Sequence, residues 1–98
     1  MLYFTQLVYL KPGQETAFDA FEAVAIPLIA RHNGQLLWRV RPDRSSVIEG
    51  EAPSEIHLVT FPTQADFEAF SRDPGRTEFL HLKEASVERV VLIKGAVV

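Results

Sequence analysis

The stretch LYFTQLVYL, residues 2–10, carries apolar residues on both of its alternating faces. Leu2, Phe4, Val8 and Leu10 fall on one side, and Tyr3, Leu7 and Tyr9 on the other. That pattern predicts a strand covered on both faces. KPGQE (11–15) reads as a turn. From Phe18 the spacing becomes helical, with Phe21, Ala25, Leu28 and Ile29 completing one stripe. Pro27 lies inside that run and is expected to bend or loosen its last turns, because it removes a backbone donor. Arg31 and His32 stand where cations favour a helix C-terminus. Asn33-Gly34 then supplies a left-handed stop.

QLLWRVR (35–41) alternates again. Leu36, Trp38 and Val40 share one face, and Gln35, Leu37, Arg39 and Arg41 the other. This predicts a half-buried strand, with Trp38 packed under the helices. Residues 42–54 hold two prolines, three serines and a glycine, the composition of a long hairpin loop. EIHLVTF (55–61) is a third strand, and PTQADFEAF (62–70) opens a second helix. Thr63 is its expected N-cap with Asp66 three residues on, and Phe67 and Phe70 form its stripe. Asp73-Pro74-Gly75 breaks it, 76–85 suits another short helical turn, and SVERVVLIKGAVV (86–98) is the last strand.

The order is therefore β-α-β-β-α-β. Right-handed crossovers place both helices on one face of a four-stranded antiparallel sheet, an α+β, ferredoxin-like architecture. No helix remains for the other face, yet the first and last strands are apolar on both sides. A second copy of the sheet is the simplest cover, and the pair would bury roughly 1,600 Å² or more. The expectation is a homodimer through the open sheet face, closing a dimeric α/β barrel.

Composition adjusts this picture slightly. The 98 residues suit one domain, 1–98. An apolar content of 47% fills a core and leaves a surplus suited to an interface. Net charge is −3 and the basic residues are scattered, which argues against a nucleic-acid partner. There is no cysteine, hence no disulfide framework or thiolate chemistry. No apolar run is long enough to span a membrane. The N-terminus has neither a basic region nor a small-residue cleavage site, so it reads as a strand and not as a signal peptide. A cytoplasmic location is the expectation.

Five pieces in this order carry a resemblance: KPGQETAF, PLIARHNGQLLWR, VIEGEAP, HLVTFPTQADFEAF and VVLIKG. The chain resembles the dimeric α/β-barrel superfamily, which includes antibiotic-biosynthesis monooxygenase-like and EthD-like proteins. Within it, the chain is most similar to a family of small uncharacterised bacterial domains. Gly34 and Arg39, spaced G-x-x-x-x-R, and the phrase FPTQADF are the most telling pieces. Asn33-Gly34 stands where the family usually carries two glycines, and the family usually has an arginine near Glu55 and an acidic residue near Thr60. The resemblance implies the fold and the dimer, with a pocket between helices and sheet or between the two sheets. It implies no single chemistry, because the superfamily holds cofactor-free monooxygenases, lyases and haem enzymes.

Arg39 has the planar fork that would hold a substrate carboxylate or enolate by two hydrogen bonds. The plainer role is an arginine in solvent, or one paired with a carboxylate across the dimer. His57, between Ile56 and Leu58, is a candidate general base; otherwise it is a satisfied histidine at the sheet surface or interface. Trp38 suits the core or a pocket wall, and Tyr3 and Tyr9 suit an interface or a hydroxyl aimed into a cavity. His81, in FLHLKE, lies near the segment that the resemblance implies closes one end of the pocket; otherwise it is a surface histidine. His32 reads as a helix-end cation. The three histidines stand apart without helical ligand spacing, so no metal site is expected. Gly34 follows a helix and begins no dinucleotide fingerprint. Ser45-Ser46 lack an evident base, and Glu49 and Glu51 either gate a pocket, pair with Arg39 or Arg41, or belong to a solvated loop.

Two functions fit. The first is a small homodimeric enzyme without a cofactor, of monooxygenase or isomerase type, acting on a small, partly apolar acid or carbonyl compound. Arg39 and His57 would be catalytic, with Arg39, Trp38, Tyr3 and His81 around the substrate. The second is a non-catalytic ligand-binding or structural dimer.

Overall fold

The computed structural model describes residues 1–43 and 49–98. Its strands are β1 (Leu2–Leu10), β2 (Gln35–Val40), β3 (Glu55–Phe61) and β4 (Val87–Gly95). Its helices are α1 (Glu15–Arg31), α2 (Gln64–Arg72), α3 (Pro74–Thr77) and α4 (Leu80–Ser86). The sheet order is β2-β3-β1-β4 and every neighbouring pair is antiparallel. Helical side chains cover one face of this sheet, the α+β, ferredoxin-like arrangement. The expected loop of 42–54 lies partly outside the described residues, and Ser45-Ser46 with it. The strand expected over 86–98 ends at Gly95.

The core has two centres. Val8 packs with Phe18, Phe21 and Ala25 at one end of α1. Phe4 and Phe61 pack with Ile29 at the other, where Phe67 of α2 stacks on Phe4 with ring centroids 4.1 Å apart. The α1 stripe therefore runs along both clusters, and the helix continues through Pro27.

Helix ends are fixed by local chemistry. Thr63 caps α2 by accepting from the Asp66 N–H at 3.1 Å. Asn33, at φ 65°, takes the left-handed turn after α1, and the Gly34 N–H returns to the Ile29 carbonyl at 2.8 Å. Gly34 is needed for a different reason. A Cβ there would sit 2.5 Å from Phe61 Cε1 and 2.9 Å from Ile29 Cγ2, so the strand could not approach the core so closely.

Strand β2 departs from simple alternation. Leu36 pairs with Val59, but the next partner, Leu58, faces Trp38. Leu37 is an extra residue, a bulge that shifts everything after it by one. Trp38 therefore does not pack under the helices. It joins Leu58, Thr5 and Ile93 in one row on the open face and is 42% exposed. Arg39 is turned the other way, into the row Arg39–His57–Gln6–Leu92 on the helix-covered face. Among the described residues, no helix is long and apolar enough to cross a membrane.

Candidate functional site

The row Arg39–His57–Gln6–Leu92 crosses the sheet between the two apolar clusters. Above its middle lies a cavity of about 140 Å³, between α1, the sheet and the α2–α4 segment. Its walls are mostly apolar, with Phe4, Ile29 and Phe61 at one end and Phe21 and Val90 towards the other. Six polar residues line it: Gln6, Glu22, His57, Ser71, Arg76 and Lys83.

Glu22 lies on α1, four residues after Phe18, on the core side of the helix. It is buried, yet among the described residues no donor hydrogen-bonds its carboxylate. Among the described residues, no buried side-chain oxygen or nitrogen is both sealed and unpartnered, so the carboxylate meets open space. Burial pushes its pKa above the ordinary 4.5; His57, Arg39 and Lys83 pull it back, and Glu55 pushes it up.

His57 sits on β3 under α1, and its Nε2 lies 2.9 Å from Glu55 Oε1. Glu55 is fully buried and is the hub of an ion cluster. Arg39 grips it as a fork, Nε to Oε1 at 2.5 Å and Nη2 to Oε2 at 3.0 Å. Arg41 Nε donates to the same carboxylate at 3.1 Å, and both arginines reach Asp19 on α1. Burial alone would disfavour the Glu55 anion. The hydrogen bonds from His57 and Arg39, with the charge of Arg39, outweigh it and hold its pKa down to about 2. Those same bonds raise Arg39 against its own desolvation.

Such an arrangement orients His57. With the ring neutral and the proton on Nε2, Glu55 accepts it, and Nδ1 is left as an acceptor without a protein partner among the described residues. Arg39 and His57 thus meet at one carboxylate, but only His57 lines the cavity. Arg39 lies outside it, in a shallow depression with Asp19 and Arg41.

The remaining candidates are scattered. Trp38 lies on the open face of the sheet, as does Tyr3, which pairs with Thr60 and Gly95. His81 is exposed on α4, beside Phe79. His32 ends α1 and bonds Asp73 at 2.6 Å, tying the start of α3 to α1. Glu51 pairs with Arg89 at 2.8 Å, away from the cavity. No group of three ligand-type side chains among the described residues is placed to hold a metal.

Glu22, Gln6, Arg76 and Lys83 escaped the sequence reading. Two of them left a signal. Glu22 interrupts the stripe Phe18–Phe21–Ala25, and Gln6 interrupts Leu2–Phe4–Val8–Leu10. A polar residue at a core position of an amphipathic element is the anomaly that marks a site.

Solved structures share this fold. A protein of unknown function from Rhodopseudomonas palustris superposes with a TM-score of 0.82 at 23% identity, over 95% of this chain and 78% of that one. A dimeric ferredoxin-like protein of unknown function from Jannaschia sp. CCS1 gives 0.76 at 19%, over 98% of both chains. An uncharacterised NIPSNAP domain protein from Burkholderia xenovorans gives 0.76 at 14%, over 100% and 95%. No curated protein matches the sequence. One family model does match, over residues 6–96, and by it the chain belongs to DUF1330, a domain of unknown function.

Proposed function

We propose that this protein is a homodimeric proton-transfer enzyme whose helix–sheet cavity takes a small, partly apolar acid or carbonyl compound. The observation that carries this reading is Glu22, a buried, unpaired carboxylate facing a mostly apolar cavity beside His57. A carboxylate without donors, its pKa raised by burial, is a stronger base than one in water.

The chemistry that fits is proton removal from a carbon next to a carbonyl. Glu22 takes the proton. The C–H electron pair forms a carbon–carbon double bond and the carbonyl π pair moves onto oxygen, leaving an enolate. The Gln6 amide can donate to that oxygen. Return of a proton to a different carbon, or to the other face, completes an isomerisation with no net oxidation. His57, oriented by Glu55, is the second proton carrier, and Arg39 acts through its grip on Glu55.

The dimer forms through the open face, where Trp38, Val40, Val91 and Ile93 are exposed. The dimeric neighbour from Jannaschia shares the fold and supports this assembly. The whole chain acts as one domain.

The test is deuterium exchange at carbon. A panel of small ketones and 2-oxo acids in heavy water, followed by proton NMR, should show exchange with the native protein. The signal should vanish with Glu22→Gln. Exchange that persists undiminished in the variant would sink the proposal.

A further inference from the structure

The polar side of the cavity carries two cations that form no ion pair among the described residues. Arg76 of α3 lies over two rings, its Cζ 5.7 Å from the Phe21 centroid and 5.5 Å from that of Phe70. Both ring faces attract the cation and favour its placement there. One donor is used, Nη1 to the Ser71 carbonyl at 3.3 Å. Lys83 of α4 lines the same cavity, and among the described residues its ammonium has no hydrogen-bond partner. Glu22 is the acidic side chain of that lining, and no ion pair joins it to either cation.

We infer that Arg76 and Lys83 form an anion subsite, and that the ligand of the cavity is a small monocarboxylate with an apolar body. Two cations face one carboxylate, so the cavity is short by one negative charge. A carboxylate at the α3–α4 end supplies it, in a geometry the arginine fork can match with its remaining donors. The apolar body then lies towards Phe4, Ile29 and Phe61, across Glu22 and His57. The space of about 140 Å³ compares with cavities of roughly 150 Å³ that take up benzene. Burial costs both cations their water, Glu22 offsets part of that cost, and a bound anion would offset more.

The position of the clamp is set by a contact already described. Asp73 accepts from the Gly75 N–H at 2.8 Å at the start of α3 and holds His32 on α1. Arg76 follows one residue later, so α1 and the clamp are indexed to each other.

This inference rests on the helix–sheet cavity being the binding site, and its test separates it from the proton-transfer reading. Benzoate and its neutral counterpart benzamide are titrated into the full chain by calorimetry. Benzoate should bind, and benzamide at least about tenfold more weakly. Lys83→Gln should weaken benzoate by about tenfold, and Arg76→Gln by as much or more. Lys94→Gln, on β4 beside Gln64, should leave it unchanged. Glu22→Gln should tighten it by removing a like charge. Should Arg76→Gln fail to fold, Lys83→Gln and the benzamide comparison decide alone. Equal binding of benzoate and benzamide, no benzoate binding, or full affinity in Lys83→Gln would overturn the subsite. Charge-dependent benzoate binding without carbon exchange on any acid would remove the proton-transfer reading and leave the subsite standing. Exchange on neutral ketones with no preference for acids would do the reverse.

Discussion

Glu55 and His57 stand two residues apart on β3, so their side chains share the helix-covered face, and His57 Nε2 lies 2.9 Å from Glu55 Oε1. Glu55 is wholly buried, and the charges that satisfy it come from Arg39 on the adjacent strand β2 and Arg41 just beyond its end. It connects the strand pairing to the site.

Removing that charge should be felt by the whole fold. Glu55→Gln leaves Arg39 facing a neutral amide and should cost about 2–3 kcal/mol, read from urea unfolding at neutral pH. The folded pKa of Glu55, about 2, lies below its ordinary 4.5. Its contribution is complete above 4.5 and is lost as pH falls towards 2, so the gap between native and variant should close over that window. Identical unfolding midpoints at pH 7 would show that the ion cluster is energetically idle.

Glu22 should behave in the opposite sense. Its folded pKa is raised above 4.5, so folding favours the neutral form, and ionisation costs stability as pH rises through the folded value. Glu22→Gln removes that cost. Its melting temperature should exceed the native one at pH 7, by a few degrees, and the two should converge below 4.5. A variant less stable at pH 7 would mean that the carboxylate is held by a partner after all.

The open face makes a prediction about mass. Trp38 and Ile93 stand in one row with Leu58 and Thr5, and both are about half-exposed in the single chain. Trp38→Asp or Ile93→Asp places a charge where two sheets would meet. Light scattering should report two chains for the native protein and one for either variant, with circular dichroism unchanged. A native protein that scatters as one chain would remove the dimer.

Gly34 gives a purely steric test. Its added methyl group would overlap Phe61, which is 1% exposed and wedged among Phe4, Phe67 and Phe70. Gly34→Ala should destabilise by about 1–3 kcal/mol in urea, whereas Gly95, with nothing within 4 Å, should accept alanine at little cost.

The sequence was most legible where period and cap agreed. The α1 stripe, the Thr63 cap and the four strands follow from spacing and side-chain chemistry alone. It was least legible at β2, because a bulge leaves no local mark and alternation then assigns Trp38 and Arg39 to the wrong faces. The site was half visible. Glu22 and Gln6 each break an apolar pattern, and that break is the signal. Arg76 and Lys83 break nothing in sequence; only the fold brings short helices α3 and α4 over the row of His57 and Gln6.

The bulge in β2 also changes what a deletion would do. In a regular strand the loss of one residue turns every later side chain over. Here Leu36-Leu37 carries one residue more than the ladder needs, so loss of either leucine leaves a regular strand with Trp38 still outward and Arg39 still beneath α1. An insertion at the same place would have no such slack. The strand is thus asymmetric towards change in length: it tolerates shortening at one point, and that point protects the arginine on which the buried Glu55 depends.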